Sequence, residues 1–260
     1  MPQESLLEYS RRIAQDERTI LNPLLESSSA FRAFYTSERE QLRTCIFLIW
    51  NGSLDPSNRL MDGELARANW IDENNVVIIF RNNPLQPCDA SIIAHEIAHV
   101  VIKEKGFPLV KLDPFVRGNR ECELQVYNLN CMLHDPLVIR MLMSYGFNLV
   151  DEYENEARMC LDVLPQIREQ NGASKIVQIL GFVQSHLQNM ILFADQNEAS
   201  VSITLQRRVQ ENLPNIVREG NSIIEFIESQ SGYDTPEKVR MIYNEIIQNR
   251  LGMDLFMTCG

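Results

Sequence analysis

Apolar residues fall along this chain in two rhythms, and the change between them divides it. From Asp89 to Lys105 the apolar positions are nearly continuous: Ala90, Ile92, Ile93, Ala94, Ile97, Ala98, Val100, Val101 and Ile102, with no Gly or Pro among them. A segment apolar almost all round reads as a helix buried in protein rather than one lying on a surface. Asp89 or Ser91 is placed to cap its start, and Gly106 stands where a helix-ending glycine belongs. Just upstream, residues 65–71 and 76–80 flank Asp72-Glu73-Asn74-Asn75 and predict a β-hairpin.

Residues 4–26 carry helical spacing at Leu6, Leu7, Ile13, Ile20 and Leu24, interrupted at Pro23. Ser37-Glu38-Arg39-Glu40 has the form of a capping box, opening a helix that Asn51-Gly52 would end. Leu54-Asp55-Pro56-Ser57-Asn58 has loop composition. A further helix is expected from a cap at Asn119 to His134, stopped by Asp135-Pro136. Beyond Gly146 the pattern is helical only: 151–170 with a kink at Pro165, 174–194, 197–212, 214–229 and 236–250. Asn171-Gly172, Ser231-Gly232 and Gly252 punctuate it, and Thr235-Pro236-Glu237 supplies cap, proline and early acid in one tripeptide. No period marks these helices as repeats. The expectation is an α+β fold, with a mixed domain over 1–148 and a helical domain over 149–260.

The buried helix carries the chemistry. His95-Glu96-Ile97-Ala98-His99 is an H-E-x-x-H motif, and its two histidines are half of the four in the chain. Four residues apart on a helix, both imidazoles leave one face and can hold one metal ion, while Glu96 lies about 100° round the axis. The competing reading is a core helix that happens to contain two histidines. It is the weaker one, because three polar groups taken out of water need a partner, and a zinc ion is one. A catalytic zinc takes three protein ligands and a water, so one ligand is missing from the motif. With Leu124, Tyr127 and Cys131 taken as the inward face of the 119–134 helix, Glu121 falls about 60° from Leu124 and Glu123 about 100°. That puts Glu121 ahead of Glu123, with Asp113 and His134 in reserve. Gln125 is positioned to orient a ligand, and Cys122 reads as packing.

These residues resemble the gluzincin metallopeptidases, most closely those of the ImmA/IrrE type. In that family H-E-x-x-H is followed, some twenty-odd residues on, by a glutamate helix of the form E-x-E-A-[D/N]-x-F-A-x-x-L-L-x-P. Here the stretch is Glu121-Cys122-Glu123-Leu124-Gln125-Val126-Tyr127, ending in Met132-Leu133-His134-Asp135-Pro136. Leu124 stands in place of a small residue, Gln125 in place of Asp or Asn, and one extra residue precedes the proline. The resemblance covers about residues 64–136. It implies a zincin-like core of a small sheet, an active-site helix and a glutamate helix, with zinc on His95, His99 and Glu121. It also implies a zinc peptidase, Glu96 activating a zinc-bound water, that cleaves a specific protein or peptide substrate such as a regulatory protein. A donor to the developing oxyanion is required, for which Tyr127, Tyr145, Tyr153 and His186 are candidates. The rival expectations are a catalytically weak zinc-binding scaffold acting through its helices, and a secreted bacterial effector protease.

Composition narrows the partners. The net charge of −11 over 260 residues argues against nucleic acid, whose phosphates call for a basic surface. Arg117, Arg120 and Arg207-Arg208 are too sparse to form one. No apolar run has the length of a membrane span. The opening Met1-Pro2-Gln3-Glu4-Ser5 lacks the basic and apolar regions of a secretory leader. The six cysteines show no C-x-x-C spacing, which suits free thiols in a reducing compartment. A cytoplasmic location is expected, with secretion the alternative the effector reading requires.

Overall fold

The computed structural model describes residues 6–116, 118–194 and 200–251, and the backbone of 257–259. Residues 1–5, the start of the helix expected from 197, and Gly252 lie outside the described residues, as does Arg117. The chain forms two compact units, Met1–Glu104 with Met141–Phe147, and Lys105–Arg140 with Asn148–Gly260. The fold is α+β, and no described helix is long and apolar enough to cross a membrane.

The first unit is built on a three-stranded sheet in the order β1-β3-β2, with β1 Cys45–Trp50, β2 Ala66–Trp70 and β3 Asn75–Phe80. β2 and β3 form the expected hairpin and pair antiparallel, while β1 runs parallel to β3. β1 corrects the expectation of a helix between Ser37 and Gly52. Its run Cys-Ile-Phe-Leu-Ile-Trp is β-branched and aromatic and is buried on both faces, so it is continuously apolar rather than alternating. Ser37 instead ends a short helix, α3 (Ser29–Ser37), and Arg39–Gln41 is a single 3₁₀ turn. Phe47 and Ile49 of β1 join Val77 and Ile79 of β3 on one sheet face, with Leu54 and Leu60. Leu7 and Ile13 of α1 (Leu6–Ile13) pack on that cluster.

The helical break near the N-terminus falls at Asp16, not at Pro23. Asp16 caps α2 (Glu17–Ser27), its Oδ1 accepting from the Thr19 backbone N–H at 2.8 Å and the Thr19 hydroxyl at 2.7 Å. Pro23 sits inside α2, where burial of Leu21 and Leu24 offsets the hydrogen bond it cannot make. Glu17 receives both Arg39 Nη2 at 2.6 Å and Nε at 2.8 Å, together with the Tyr35 hydroxyl at 3.0 Å, tying α2 to the end of α3. Burial, followed by the Glu17 charge, pushes the Tyr35 phenol up to about 12.

α4 (Ala90–Glu104) is the expected buried helix and packs on β2, β3 and α3. Asp89 sits at the end of a 3₁₀ turn, Pro87–Asp89, where its carboxylate accepts from the Gln86 N–H at 2.7 Å and the Asn82 amide at 2.8 Å. Gly106 follows at φ 88°, a conformation a β-carbon would strain. Glu104 accepts from the backbone N–H groups of Arg43 and Thr44, fastening the helix end to the approach to β1. Lys103 Nζ lies 3.1 Å from the centre of the Trp70 ring, tying α4 to β2.

In the second unit a short strand, β4 (Val110–Leu112), pairs antiparallel with β5 (Met257–Cys259), so the region past Gly146 is not helix alone. α5 (Arg120–Ser144) starts at the expected cap, Asn119, whose Oδ1 accepts from the Glu121 N–H at 3.0 Å. It does not stop at Asp135-Pro136. Buried Leu133, Leu137, Val138, Ile139 and Leu142 carry it through the proline, because their burial outweighs one lost backbone bond. The inward face is also not the expected one. Leu124 and Tyr127 are 48% and 61% exposed, whereas Cys122, Gln125, Leu129 and Met132 are buried. The remaining helices are α6 (Val150–Val163), α7 (Gly172–Leu192), α8 (Val201–Asn212), α9 (Pro214–Ser229) and α10 (Pro236–Glu245), the last continuing into a π-turn at Ile246–Arg250. α7 packs on α9 and α6 on α8. Gly220 lets α9 approach α7 closely, since a β-carbon there would stand 3.0 Å from Phe182 Cε1.

Candidate metal centre

α4 delivers His95 and His99 from consecutive turns, half-buried, with Nε2 facing Nε2 across 3.1 Å and the rings at 73°. Ala94, Ile97 and Ala98 between and beside them are buried, which leaves each imidazole little choice of rotamer. Burial holds the His95 ring down at about 4, so it is a neutral imidazole with a lone pair to give. Two nitrogens each about 2.0–2.1 Å from a tetrahedral ion lie about 3.3 Å apart. The observed separation is close to that, and the donor chemistry suits zinc.

Glu96 leaves α4 toward β2, and its Oε2 accepts from the backbone N–H of Ala68 at 2.7 Å. That N–H is available because of the strand register. Ile71 donates to Asn75 and Arg81 donates to Leu65, so the odd-numbered residues of β2 face β3. The main-chain groups of Ala66 and Ala68 therefore point away from β3, along an edge with no further described strand. Burial pushes the Glu96 carboxyl up to about 7, with Glu64 adding to it and the Ala68 N–H and Arg67 opposing. A carboxyl titrating near neutrality can both accept and return a proton.

Glu121 and Glu123 lie exposed in the first turn of α5, with Glu123 Oε1 accepting from the Gly118 N–H at 3.0 Å. Gln125 is 7% exposed. His134 is buried, and its Nε2 donates to the Pro108 carbonyl at 2.9 Å, an acceptor that needs the hydrogen on that nitrogen. Burial holds it down at about 4, the carbonyl opposing. Asp113 closes a local turn by accepting from the Phe115 N–H at 2.9 Å. Of the candidate oxyanion donors, Tyr127 is 61% exposed, and Tyr145 gives its hydroxyl to Glu38 at 2.8 Å. His186 has Gln206 Nε2 at 3.5 Å from its Nδ1 and is held below its usual range by burial. The Tyr153 phenol is pushed up by burial, then by the charges of Asp135, Glu156 and Glu152.

Asp135 does not stop the helix as expected. It is half-buried within α5, and its Oδ2 accepts from the Gln184 amide of α7 at 2.8 Å. Beside a proline its side chain read as a helix stop, and the apolar run that continues past Pro136 was the signal against that reading. Cys122 is buried, and the thiols of Cys45, Cys88, Cys131 and Cys160 are likewise free of disulfides.

Comparison with protein-family models, with curated proteins and with solved structures finds no match to this chain. The chemistry therefore rests on its own residues.

Neutral burial of His134 has a measurable consequence. Its folded value, about 4, lies below the ordinary 6.5, so its contribution is complete above 6.5 and is lost as pH falls through 4. Between pH 6.5 and 5, metal-free wild type should lose about 2 kcal/mol more stability than His134→Gln, at about 1.4 kcal/mol per pH unit. Glu96→Gln should shift the balance the other way. Raised to about 7, Glu96 contributes stability that is complete below 4.5 and lost as pH rises through 7. Denaturant titrations of metal-free protein across this range check both signs, and parallel profiles for wild type and His134→Gln would contradict the buried neutral histidine.

Proposed function

We propose that this chain is a zinc-dependent peptidase whose metal would be held by His95 and His99 of α4 with a third ligand, which the gluzincin resemblance implies is Glu121. The observation that carries the reading is the 3.1 Å separation of the two Nε2 atoms, one residue away from a buried carboxyl poised at about 7. Bound there, zinc supplies Lewis acidity toward a peptide carbonyl and lowers the pKa of water towards about 7. The chain's own residues do the rest. Glu96, steadied by the Ala68 N–H, takes a proton from the attacking water and returns it to the amine nitrogen as the C–N bond breaks. The outward main-chain groups of Ala66 and the outward carbonyl of Ala68 can take an extended polypeptide as an added strand, the Ala68 N–H being given to Glu96. The substrate is accordingly a protein or peptide presented in extended form.

Two experiments test this reading. Glu96→Gln should keep the fold and zinc but lose cleavage by roughly 10²–10⁴-fold, since shape is preserved and the proton acceptor is gone. Proteomes of cells making wild type or Glu96→Gln should differ at specific cleavage products, and identical proteomes would count against a peptidase. Separately, Glu121→Ala should weaken zinc binding far more than Glu123→Ala in chelator competition. The opposite order would move the third ligand to Glu123.

A further inference from the structure

Arg67 is the one charged side chain of β2, and its contacts do not account for it. Its cross-strand neighbour is Ile79, which shares an apolar sheet face with Phe47, Ile49 and Val77, so Arg67 stands on that face. Ala66, Ala68 and Trp70 stand on the opposite face, where Trp70 meets Lys103 of α4. The Arg67 side chain is 28% exposed. Its acceptor is Glu64 Oε2, 3.3 Å from Nη1, and that oxygen already takes the Met61 N–H at 2.7 Å. Arg67 Nε is withdrawn from water and has no hydrogen-bond partner. A buried donor without an acceptor costs free energy. The unused Nε side of a guanidinium is also one that grips a carboxylate with two parallel bonds.

The place of Arg67 on the strand says where such a carboxylate would come from. The main-chain groups of Ala66 and Ala68 point outward along an edge with no further described strand. A polypeptide adding antiparallel would bond to Ala66 and to the Ala68 carbonyl and make no main-chain bond at Arg67. At such a position facing side chains stand closest, with Cβ atoms about 4.5–5.5 Å apart, and opposite charges stabilise the pair. Arg67 also lies beside the chemistry: its charge is felt at the Glu96 carboxyl, and the next residue, Ala68, gives its N–H to that carboxylate. We infer that Arg67 is a specificity-determining residue, selecting an acidic side chain on the residue of the bound polypeptide that faces it. This rests on β2 being the polypeptide-binding edge of the proposed peptidase. A chain of net charge −11 repels acidic polypeptides in general, so the preference is confined to that one position.

The test uses the zinc-loaded full chain carrying Glu96→Gln and fluorescent ten-residue Ala/Thr/Ser peptides with Glu, Gln or Lys at the centre. By anisotropy the Glu peptide should bind about tenfold tighter than the Gln peptide, with the Lys peptide weakest. Arg67→Gln should erase the difference, and Arg67→Glu should reverse it in favour of Lys. Glu64→Gln can still accept the Met61 N–H but no longer holds the arginine by charge. It should sharpen the preference for Glu, and it carries the test if neither Arg67 variant folds. Equal binding of the three peptides, binding of none, or a Glu preference unchanged in the variants that fold overturns the inference. Cleavage of proteome-derived peptides by wild type separates this from the peptidase reading. Acid-selective binding without any cleavage contradicts the peptidase and leaves Arg67 as a binding determinant. Cleavage with no enrichment of Asp or Glu at one position near the cut leaves the peptidase standing and overturns the role of Arg67.

Discussion

The structure turns on the cost of taking two imidazoles and a carboxyl out of water on one apolar helix. α4 is buried along most of its length, with Ile93, Ala94, Ile97, Ala98, Val100, Val101 and Ile102 at 1% exposure or less. A helix so placed cannot turn to offer its polar residues to solvent without exposing its core. His95, Glu96 and His99 must therefore be compensated where they stand. Burial drives both kinds of group toward neutrality: His95 falls to about 4 and Glu96 rises to about 7. That leaves a lone-pair donor beside a proton acceptor, the pairing that metal-assisted hydrolysis needs. The hairpin before α4 serves the same end, since its outward amide at Ala68 meets the Glu96 carboxylate.

Much of this was legible because short-range rules settle it. The length of the apolar run, the Asp89 and Gly106 signals and the i, i+4 spacing of the histidines give α4 without any knowledge of its neighbours. The hairpin is similarly local, with Asp72 accepting from both Asn74 and Asn75 inside the turn. β1 was not legible, because an apolar run shorter than a helix is the same signal for a buried strand, and only pairing with β3 decides between them. The strands Val110–Leu112 and Met257–Cys259 are brief, and their pairing joins residues far apart in sequence.

α5 illustrates the harder case. Its start was set by Asn119, a local cap, and was read correctly. Its face and its end depend on tertiary burial. Leu124 and Tyr127 are the large apolar residues of the first turns and drew the expected inward face to themselves, yet they are exposed, while the polar Gln125 is buried. Pro136 was weighed as a breaker when the apolar residues following it were already enough to hold the helix together. Together they left Asp135 in a turn, whereas it lies within α5. The same long-range dependence governs the hydrogen bond from Gln184 to Asp135, which no spacing rule could have joined.

The most direct test of the account is X-ray absorption at the zinc edge on zinc-loaded full-length protein. The account predicts about one zinc per chain in a four-coordinate shell, with two imidazole nitrogens at about 2.0–2.1 Å, oxygen donors completing it and no sulfur. A shell with a single imidazole, a shell containing thiolate, or a protein that retains no zinc would contradict it.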